Sequence, residues 1–239
     1  CLVGSEMCIR DRNLMNGFTP PMTPNMFTGH SFVMGTDDQG RDLLSAIIYG
    51  LRVSLFVGVM SVLLAMGIGV SLGLVAGYVG GWLDNLIMRI ADIQLTFPSI
   101  LIAMLIFGVL RGIIPPDLRD EMAIFVLIAA IGLSEWVPFA RTVRATTLVE
   151  KEKEYVQAAR LIGLRRGQIM WRHILPNVIG PVLVIATITL ALAIIAEATL
   201  SFLGVGAPPT EPSLGTLIRI GQDYPVSYTH LTLPTTHCG

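Results

Sequence analysis

The sequence predicts an all-α membrane protein, a polytopic helical bundle. Of its 239 residues, 53% are hydrophobic and only 14% are charged, whereas soluble domains usually carry about 25% charged residues. The mean hydropathy is +0.69. The apolar residues are grouped into long runs separated by polar segments. A net charge of −1 gives no basis for expecting nucleic acid as a partner.

The two ends of the chain are predicted to be foreign to the rest. Met7–Arg12 can be encoded by a DNA string whose reverse complement finishes a proline codon and then reads Val-Ser-Tyr-Thr-His, as in Pro225–His230. Two ends of one natural gene are rarely reverse complements, and the string resembles a transposase adapter used in sequencing libraries. We therefore expect residues 1–12 and 226–239 to be non-native, and 13–225 to be a fragment of a longer protein.

This exclusion removes every cysteine from the native part, because Cys1, Cys8 and Cys238 lie in the two ends. No disulfide framework, thiol nucleophile or cysteine-based metal site is therefore predicted. His30 and His173 are the two histidines left, and we expect no metal site.

Before the first span, residues 13–30 are rich in Pro, Asn, Thr and Met and predict an extended extracytoplasmic linker. Asp37 or Asp38 is expected to cap a helix through residues 43–48 at the membrane interface. A calcium loop is the alternative for these acids, but the alternating acids and distal glutamate of an EF-hand are missing.

Four apolar runs are long enough to cross a membrane. A helix needs about 20 residues to cross a hydrocarbon core of about 30 Å. One such run fits a buried helix of a large soluble protein, but four in succession do not. We predict spans at about 53–79, 86–110, 122–140 and 178–205.

The first span carries glycines at steps of four. They predict a ridge without side chains along which another helix can pack closely, and a pathway-lining face is the alternative. The residues are Gly69, Gly73, Gly77 and Gly81. In the later spans, Pro98 and Pro138 predict kinks.

The spans also contain two ionisable residues. Glu135 lies near the predicted inner end of the third span, and Glu197 lies roughly 28 Å along the fourth from Val178. Both positions are near an interface, so local pairing there and a proton relay both stay open.

The loop between the third and fourth spans, residues 141–177, predicts the orientation. The positive-inside rule places it in the cytoplasm because it holds eight basic residues. They are Arg141, Arg144, Lys151, Lys153, Arg160, Arg165, Arg166 and Arg172. Alternation then places residues 111–121 and the segment after residue 205 outside.

Within this loop, Glu150–Ile162 predicts a short exposed helix that Gly163 ends as a C-terminal cap. Tyr155, Ala158, Ala159 and Ile162 share one face by their spacing. An apolar face of this kind, rimmed by arginines, suits docking into a groove of another protein. Packing on the rest of the chain or on lipid headgroups is the alternative.

The loop resembles the EAA loop of ABC-importer permeases, the cytoplasmic element through which the ATPase drives the channel. The family pattern is Glu-Ala-Ala, three residues, Gly, nine residues, Ile, one residue, Leu-Pro. This sequence departs from it at Gln157, in place of Glu, and at His173, in place of Ile. The resemblance implies ATPase-coupling roles for Tyr155, Gln157, Ala158, Ala159, Arg160, Gly163, Leu175 and Pro176.

Other segments resemble the dipeptide, oligopeptide and nickel subfamily of these permeases. They stand in the subfamily's order along the chain and are Gly35–Asp42, Tyr49–Leu55, Phe97–Pro98, Ala140–Arg144 and Ala196–Gly204. Family members usually have six spans, so the resemblance implies that residues 13–225 hold the middle four.

The resemblance implies a multi-pass permease subunit of an ATP-driven importer in a bacterial or archaeal inner membrane. Its implied partners are a second homologous permease subunit, two ATP-binding subunits, an extracytoplasmic solute-binding protein and membrane lipid. The solute would be a di- or oligopeptide or a related small solute such as a nickel chelate, and the sequence does not choose among them. The chain itself is expected to be no enzyme and to need no cofactor, since it lacks the Gly-x4-Gly-Lys-Ser/Thr phosphate loop.

Two other classes of function are weighed against this one. A secondary transporter or channel not coupled to ATP would need inverted repeats or ion-coupling acids near the middle of the membrane. A membrane-embedded enzyme would need a catalytic constellation such as His-Glu-x-x-His or Gly-x-Ser-x-Gly on a span, and neither kind of site is expected here.

Overall fold

The computed structural model describes residues 22, 33–36, 40–206 and 213–223. The ends predicted to be non-native, most of the predicted linker and the predicted caps Asp37 and Asp38 lie outside these residues. Within them the regular elements are helices, and one isolated β-bridge joins Thr36 to Asp42. The predicted all-α fold class is therefore confirmed.

Nine α-helices lie in the described ranges. They are α1 (Leu43–Val79), α2 (Gly81–Leu95), α3 (Ser99–Ile113), α4 (Arg119–Ser134), α5 (Trp136–Glu150), α6 (Glu154–Leu161), α7 (Arg166–Ile169), α8 (Leu175–Phe202) and α9 (Leu214–Asp223). A 3-10 turn at Pro116–Leu118 precedes α4, and a π-helical turn at Met170–Ile174 joins α7 to α8.

Two helical segments are long and apolar enough to cross a membrane, Leu43–Val79 and Arg166–Phe202. Two bent pairs of apolar helices pass the same test when each is taken as one span. These are α2 with α3, bent by 100°, and α4 with α5, bent by 41°. The chain is thus a polytopic helical membrane protein with two to four candidate spans in its described part.

The first span is longer than predicted, because α1 is one continuous helix of 37 residues. The separate interfacial helix predicted at residues 43–48 is wrong. Asp42 caps α1, since its Oδ2 accepts hydrogen bonds from the Ser45 amide (3.3 Å) and hydroxyl (2.6 Å). At 1.5 Å per residue the helix is about 55 Å long, so it extends beyond a hydrocarbon core of about 30 Å.

The second predicted span, residues 86–110, is divided into two helices, which are separated at Thr96–Pro98. Pro98 disfavours helical backbone at the residue before it, and it stands at the N-cap of α3. The Thr96 hydroxyl donates to Ile93 O at 2.6 Å and so occupies one of the last carbonyls of α2. The kink predicted at Pro98 is therefore a full break.

The third predicted span, residues 122–140, bends at Glu135 and continues as helix to Glu150. Pro138 lacks the N–H that would bond the Ser134 carbonyl four residues earlier. The Gln94 side chain takes its place, with Nε2 donating to Ser134 O at 2.9 Å. Gln94 Oε1 in turn accepts a hydrogen bond from Trp136 Nε1 at 2.8 Å.

The first ten residues of the predicted loop, 141–150, are therefore helical. They are stabilised against α2 by ion pairs that the sequence analysis did not anticipate. Arg144 pairs with Asp84, with Nη2 and Oδ2 2.6 Å apart, and Arg141 pairs with Asp92. Helices α2 and α5 thus lie side by side.

The chain divides into two compact units, which are described separately. In residues 55–197, α3 packs along α4 and α2 packs against α5. One core cluster of this unit consists of Ala76, Ile87, Ala91, Trp136, Val137 and Ala140. Glu197 is fully buried, and its position near the outer interface stays a prediction.

The second unit comprises residues 1–54 with 198–239. In its described part, α8 ends at Phe202, and Gly204 has φ 78°, as a left-handed C-terminal cap requires. The start of α9 lies close to the end of α8, because a Cβ added to Gly215 would stand 2.2 Å from Ala198 O. The Leu214 amide also donates to Ser54 Oγ at 3.4 Å.

Candidate functional site

The predicted loop helix is α6, an eight-residue helix that begins at Glu154 rather than at the predicted Glu150. It ends in a Schellman motif, in which Leu164 N donates to Ala159 O (3.2 Å) and Gly163 N donates to Arg160 O (3.0 Å). Gly163 has φ 82°, a left-handed conformation that glycine adopts without steric cost. The prediction that Gly163 ends this helix is confirmed.

The apolar face predicted on this helix is divided by the structure. Val156 is fully buried and Ala159 is 4% exposed, so these two residues anchor α6 to the rest of the chain. Leu161 is 89% exposed and Ile162 is 78% exposed. With Ala158, which is also exposed, they form what we term the exposed α6 face.

Tyr155 belongs neither to the buried pair nor to the exposed α6 face, and its hydroxyl makes two hydrogen bonds to polar side chains. Its hydroxyl donates to Glu150 Oε2 at 2.6 Å and accepts from Asn177 Nδ2 at 3.0 Å. Burial raises the pKa of Tyr155, and the hydrogen bond to Glu150 raises it further, so the hydroxyl stays protonated and able to donate. Glu150, Tyr155 and Asn177 are called the Tyr155 bridge below.

Two basic residues attach the loop to the end of α1. The Arg160 guanidinium stands over the Tyr78 ring, 5.3 Å from its centroid. Lys151 Nζ donates to Gly77 O at 3.4 Å, which places a cation near the last carbonyls of α1. Gln157, which replaces the family's Glu, is exposed, and its Nε2 donates to Glu152 O at 2.9 Å.

Leu175 and Pro176 stand apart from α6 at the start of α8, where Leu175 is half-buried and Pro176 is exposed. Pro176 cannot donate to the carbonyl four residues earlier, which accounts for the π-helical turn just before it. The His173 carbonyl in that turn accepts a hydrogen bond from Asn177 Nδ2 at 2.9 Å. Asn177 therefore joins this turn to the Tyr155 bridge.

The glycines of the first span lie against α5. A Cβ on Gly69 would stand 2.5 Å from Trp136 O, and one on Gly73 would stand 2.6 Å from Ala140 O. At Gly77 it would stand 2.7 Å from Thr147 Cβ. Only hydrogen fits at these three positions.

Gly81 is a correction to the predicted ridge, since α1 ends at Val79 and Gly81 begins α2. Gly80 and Gly81 both have positive φ, 68° and 64°. Two successive left-handed residues turn the chain sharply, and glycine makes that turn possible.

The same ridge contains the letters Gly-Val-Ser-Leu-Gly at residues 69–73, which fit the Gly-x-Ser-x-Gly pattern of serine hydrolases. That pattern works on a strained strand-to-helix turn. Here Ser71 lies inside α1, and its hydroxyl donates to Gly67 O at 2.7 Å. Ser71 therefore lacks the strand-to-helix turn on which this pattern depends, and the sequence match gives no support to the enzyme alternative.

Three residues of this site were missed by the sequence analysis. Glu150 and Asn177 lie 5 and 22 residues from Tyr155 and on other helices, so the periodicity of one helix could not show them. Leu161 was detectable, because with Ala158 and Ile162 it has the i, i+3, i+4 spacing of a second face.

Comparison with known proteins gives a consistent result. Residues 69–236 match the family described as binding-protein-dependent transport system inner membrane component. The matched range includes residues 226–236, and their exclusion as non-native stays a prediction.

Similar relatives include the dipeptide transport system permease protein DppC of Alkalihalophilus pseudofirmus, 43% identical over 80% of this chain and 59% of the relative. The glutathione transport system permease protein GsiD of Pectobacterium atrosepticum is 36% identical over 84% and 63%. The oligopeptide transport system permease protein OppC of Bacillus subtilis is 37% identical over 87% and 63%. The chain thus spans about three fifths of the length of these curated relatives.

The chain belongs to the family of binding-protein-dependent transport system inner membrane components. It is accordingly a multi-pass protein of the cell membrane.

Proposed function

We propose that this member of the family is a permease subunit of an ATP-driven importer for di- or oligopeptides or a related small solute. The relatives named above are permeases of dipeptide, oligopeptide and glutathione transport systems. The proposed partners are a second homologous permease subunit, two ATP-binding subunits and an extracytoplasmic solute-binding protein. ATP hydrolysis is assigned to the separate ATP-binding chains.

The observation that carries this proposal is the exposed α6 face. Leu161 and Ile162 are large apolar side chains that a short helix presents almost fully to solvent. Exposed apolar patches rimmed by polar residues mark interaction sites, and an amphipathic helix docks by inserting such a face into a groove. We propose that the groove belongs to an ATP-binding subunit and that α6 lies in the cytoplasm.

Attachment to the spans supports a mechanical role for this face. Along the chain, α6 follows α5, which is paired with α2 through Arg144 and Asp84, and it precedes α7, which begins the apolar segment Arg166–Phe202 that α8 continues. A force applied to α6 would reach both. Closure of the ATP-binding subunits would thereby tilt the spans between outward and inward access.

Site-specific crosslinking tests the proposal. The cysteines of the chain lie in its two ends, Cys1, Cys8 and Cys238, so a variant without them can receive Leu161→Cys carrying a photoreactive probe. In the intact assembly this probe should crosslink to an ATP-binding subunit from the cell interior.

The matched control is Ile113→Cys, which is 75% exposed at the end of α3 and is predicted to face the exterior. It should give no crosslink to that subunit. Labelling of Leu161→Cys from the exterior, or an intact assembly without an attached ATP-binding subunit, would reject the proposal.

A further inference from the structure

We propose that the Tyr155 bridge transmits movement of α6 to α5 and α8 along two separable arms. This inference rests on the proposed function, because it names the residues through which that function would act. Its central member, Tyr155, is a positioning residue that holds three helices at one hydroxyl.

The first step is geometric. Glu150 is the last residue of α5, Tyr155 is the second residue of α6 and Asn177 is the third residue of α8. One hydroxyl therefore joins α5 and α8 to α6, with separations of 2.6 and 3.0 Å.

The peptide links on either side of α6 also connect it to its neighbours. The peptide links to α6 are residues 151–153 on one side and 162–165 on the other, which are turns rather than helix. Such links can rotate about their backbone dihedral angles. Hydrogen bonds at fixed positions on α5 and α8 restrict that rotation, so that α6 and the two helix ends move together.

The third step is the electrostatic state of the bridge. Glu150 also accepts a hydrogen bond from Lys153 Nζ at 2.7 Å, and its side chain is only 12% exposed. Hydrogen bonds to charged acceptors are stronger than neutral ones. The α5 arm, from Tyr155 to Glu150, is therefore the stronger, and the α8 arm, through the neutral Asn177 amide, is the weaker.

The arms can be separated by substitution. Tyr155→Phe keeps the ring and removes both hydrogen bonds. Asn177→Ala removes the α8 arm, together with the hydrogen bond from Asn177 to His173 O, and leaves the α5 arm in place. Tyr78→Phe is the matched control, since it removes the same atom from a ring that meets Arg160 through its face.

The experiment uses the full-length permease assembled with its partner permease, ATP-binding subunits and binding protein in lipid nanodiscs. Nitroxide labels are attached to exposed positions on three helices, Glu154→Cys on α6, Val149→Cys on α5 and Ile179→Cys on α8. Distances from each label to a reference label at Ile113→Cys are measured by pulsed electron resonance, with and without ATP and vanadate. No solute needs to be known.

In the parent protein all three labels should shift on ATP trapping. Tyr155→Phe should keep the α6 shift and lose the shifts of the α5 and α8 labels. Asn177→Ala should lose the α8 shift only, and Tyr78→Phe should behave as the parent. A protein whose Tyr155 served only to stabilise α6 would not show this selective loss.

Two results are decisive in the other direction. If Tyr155→Phe shifts all three labels as the parent does, the bridge is not the transmitting element, although the proposed function stands. If α6 does not shift on ATP trapping in the parent protein, the proposed function itself fails.

Discussion

Helices α5 and α6 follow one another along the chain but are held in place by different means. Along α5, five side chains between Val137 and Thr147 are at most 1% exposed, and the helix lies against a glycine ridge at backbone distance. Along α6 two side chains, Val156 and Ala159, are buried, and its remaining attachments are polar. The difference indicates that buried packing holds α5, whereas α6 has few buried side chains and depends on its links to α5 and α8.

The difference also shows where glycine is needed and why. On α1 glycine permits contact between helices, since a Cβ would meet backbone atoms of α5. At the end of α6, no atom in the described part of the chain stands within 4 Å of a Cβ added to Gly163, and its positive φ is what requires glycine. One residue type thus serves packing in one region and chain direction in the other.

The largest expected effect comes from breaking the contact between α1 and α5. Gly69→Ala places a Cβ 2.5 Å from both Trp136 O and Phe139 Cβ, and overpacking of this kind costs about 1–3 kcal/mol or more. We expect a lower midpoint of thermal unfolding in detergent and a loss of the monodisperse species in size-exclusion chromatography.

Gly67→Ala is the matched control, because Gly67 lies on the same helix and no atom of the described residues stands within 4 Å of an added Cβ. It should leave stability unchanged or raise it by up to about 1 kcal/mol, as alanine is the better helix former. If the two substitutions change the midpoint of thermal unfolding equally, the close approach of α5 does not restrict the size of the residue at position 69.

The second effect concerns the end of α6. A side chain at Gly163 must adopt the left-handed conformation, which costs about 1–2 kcal/mol and is least tolerated by β-branched residues. Gly163→Val should abolish ATP-driven uptake of radiolabelled peptides into vesicles while leaving membrane insertion intact. Gly163→Asn should be milder, because asparagine tolerates this conformation.

Gly167→Ala provides the comparison, since Gly167 also has open space but lies in helical backbone within α7. ATP-driven peptide uptake by the Gly167→Ala variant should equal that of the parent protein. Unchanged uptake in Gly163→Val would count against a role for the α6 end in coupling.

The smallest effect is expected from the contact of Arg160 with Tyr78. An exposed cation–π contact contributes about 0.5–1 kcal/mol, so Arg160→Ala should modestly speed amide hydrogen exchange in α6. In a double-mutant cycle with Tyr78→Leu the two effects should not add. Arg165 is another exposed arginine, and the effect of Arg165→Ala on exchange should add to that of Tyr78→Leu. If the effects of Arg160→Ala and Tyr78→Leu also add, the contact between Arg160 and Tyr78 contributes nothing to stability.

Local chemistry made several features predictable. Helix caps and breaks depend on glycine and proline, whose preferred backbone conformations are largely independent of tertiary contacts. Gly163 accordingly ends α6, Pro98 stands at a break between α2 and α3, and Pro138 accompanies a bend at Glu135. The α6 face was less predictable, because Ala158 and Ala159 are adjacent and periodicity alone does not state which of them is buried. The Tyr155 bridge was not predictable, since its members come from three helices.

The sequence by itself determined that the protein is helical and embedded in a membrane, because four long apolar runs in succession do not fit the interior of a soluble protein. It also determined where glycine and proline redirect the chain, since these limits lie within a few bonds. Only the tertiary structure decided that Asp84 pairs with Arg144. The same holds for the hydrogen bond from Gln94 to the Ser134 carbonyl, which Pro138 cannot make, and for the Tyr155 bridge. These contacts depend on the directions of separate helices, which are set by packing over the whole unit and not by any one segment.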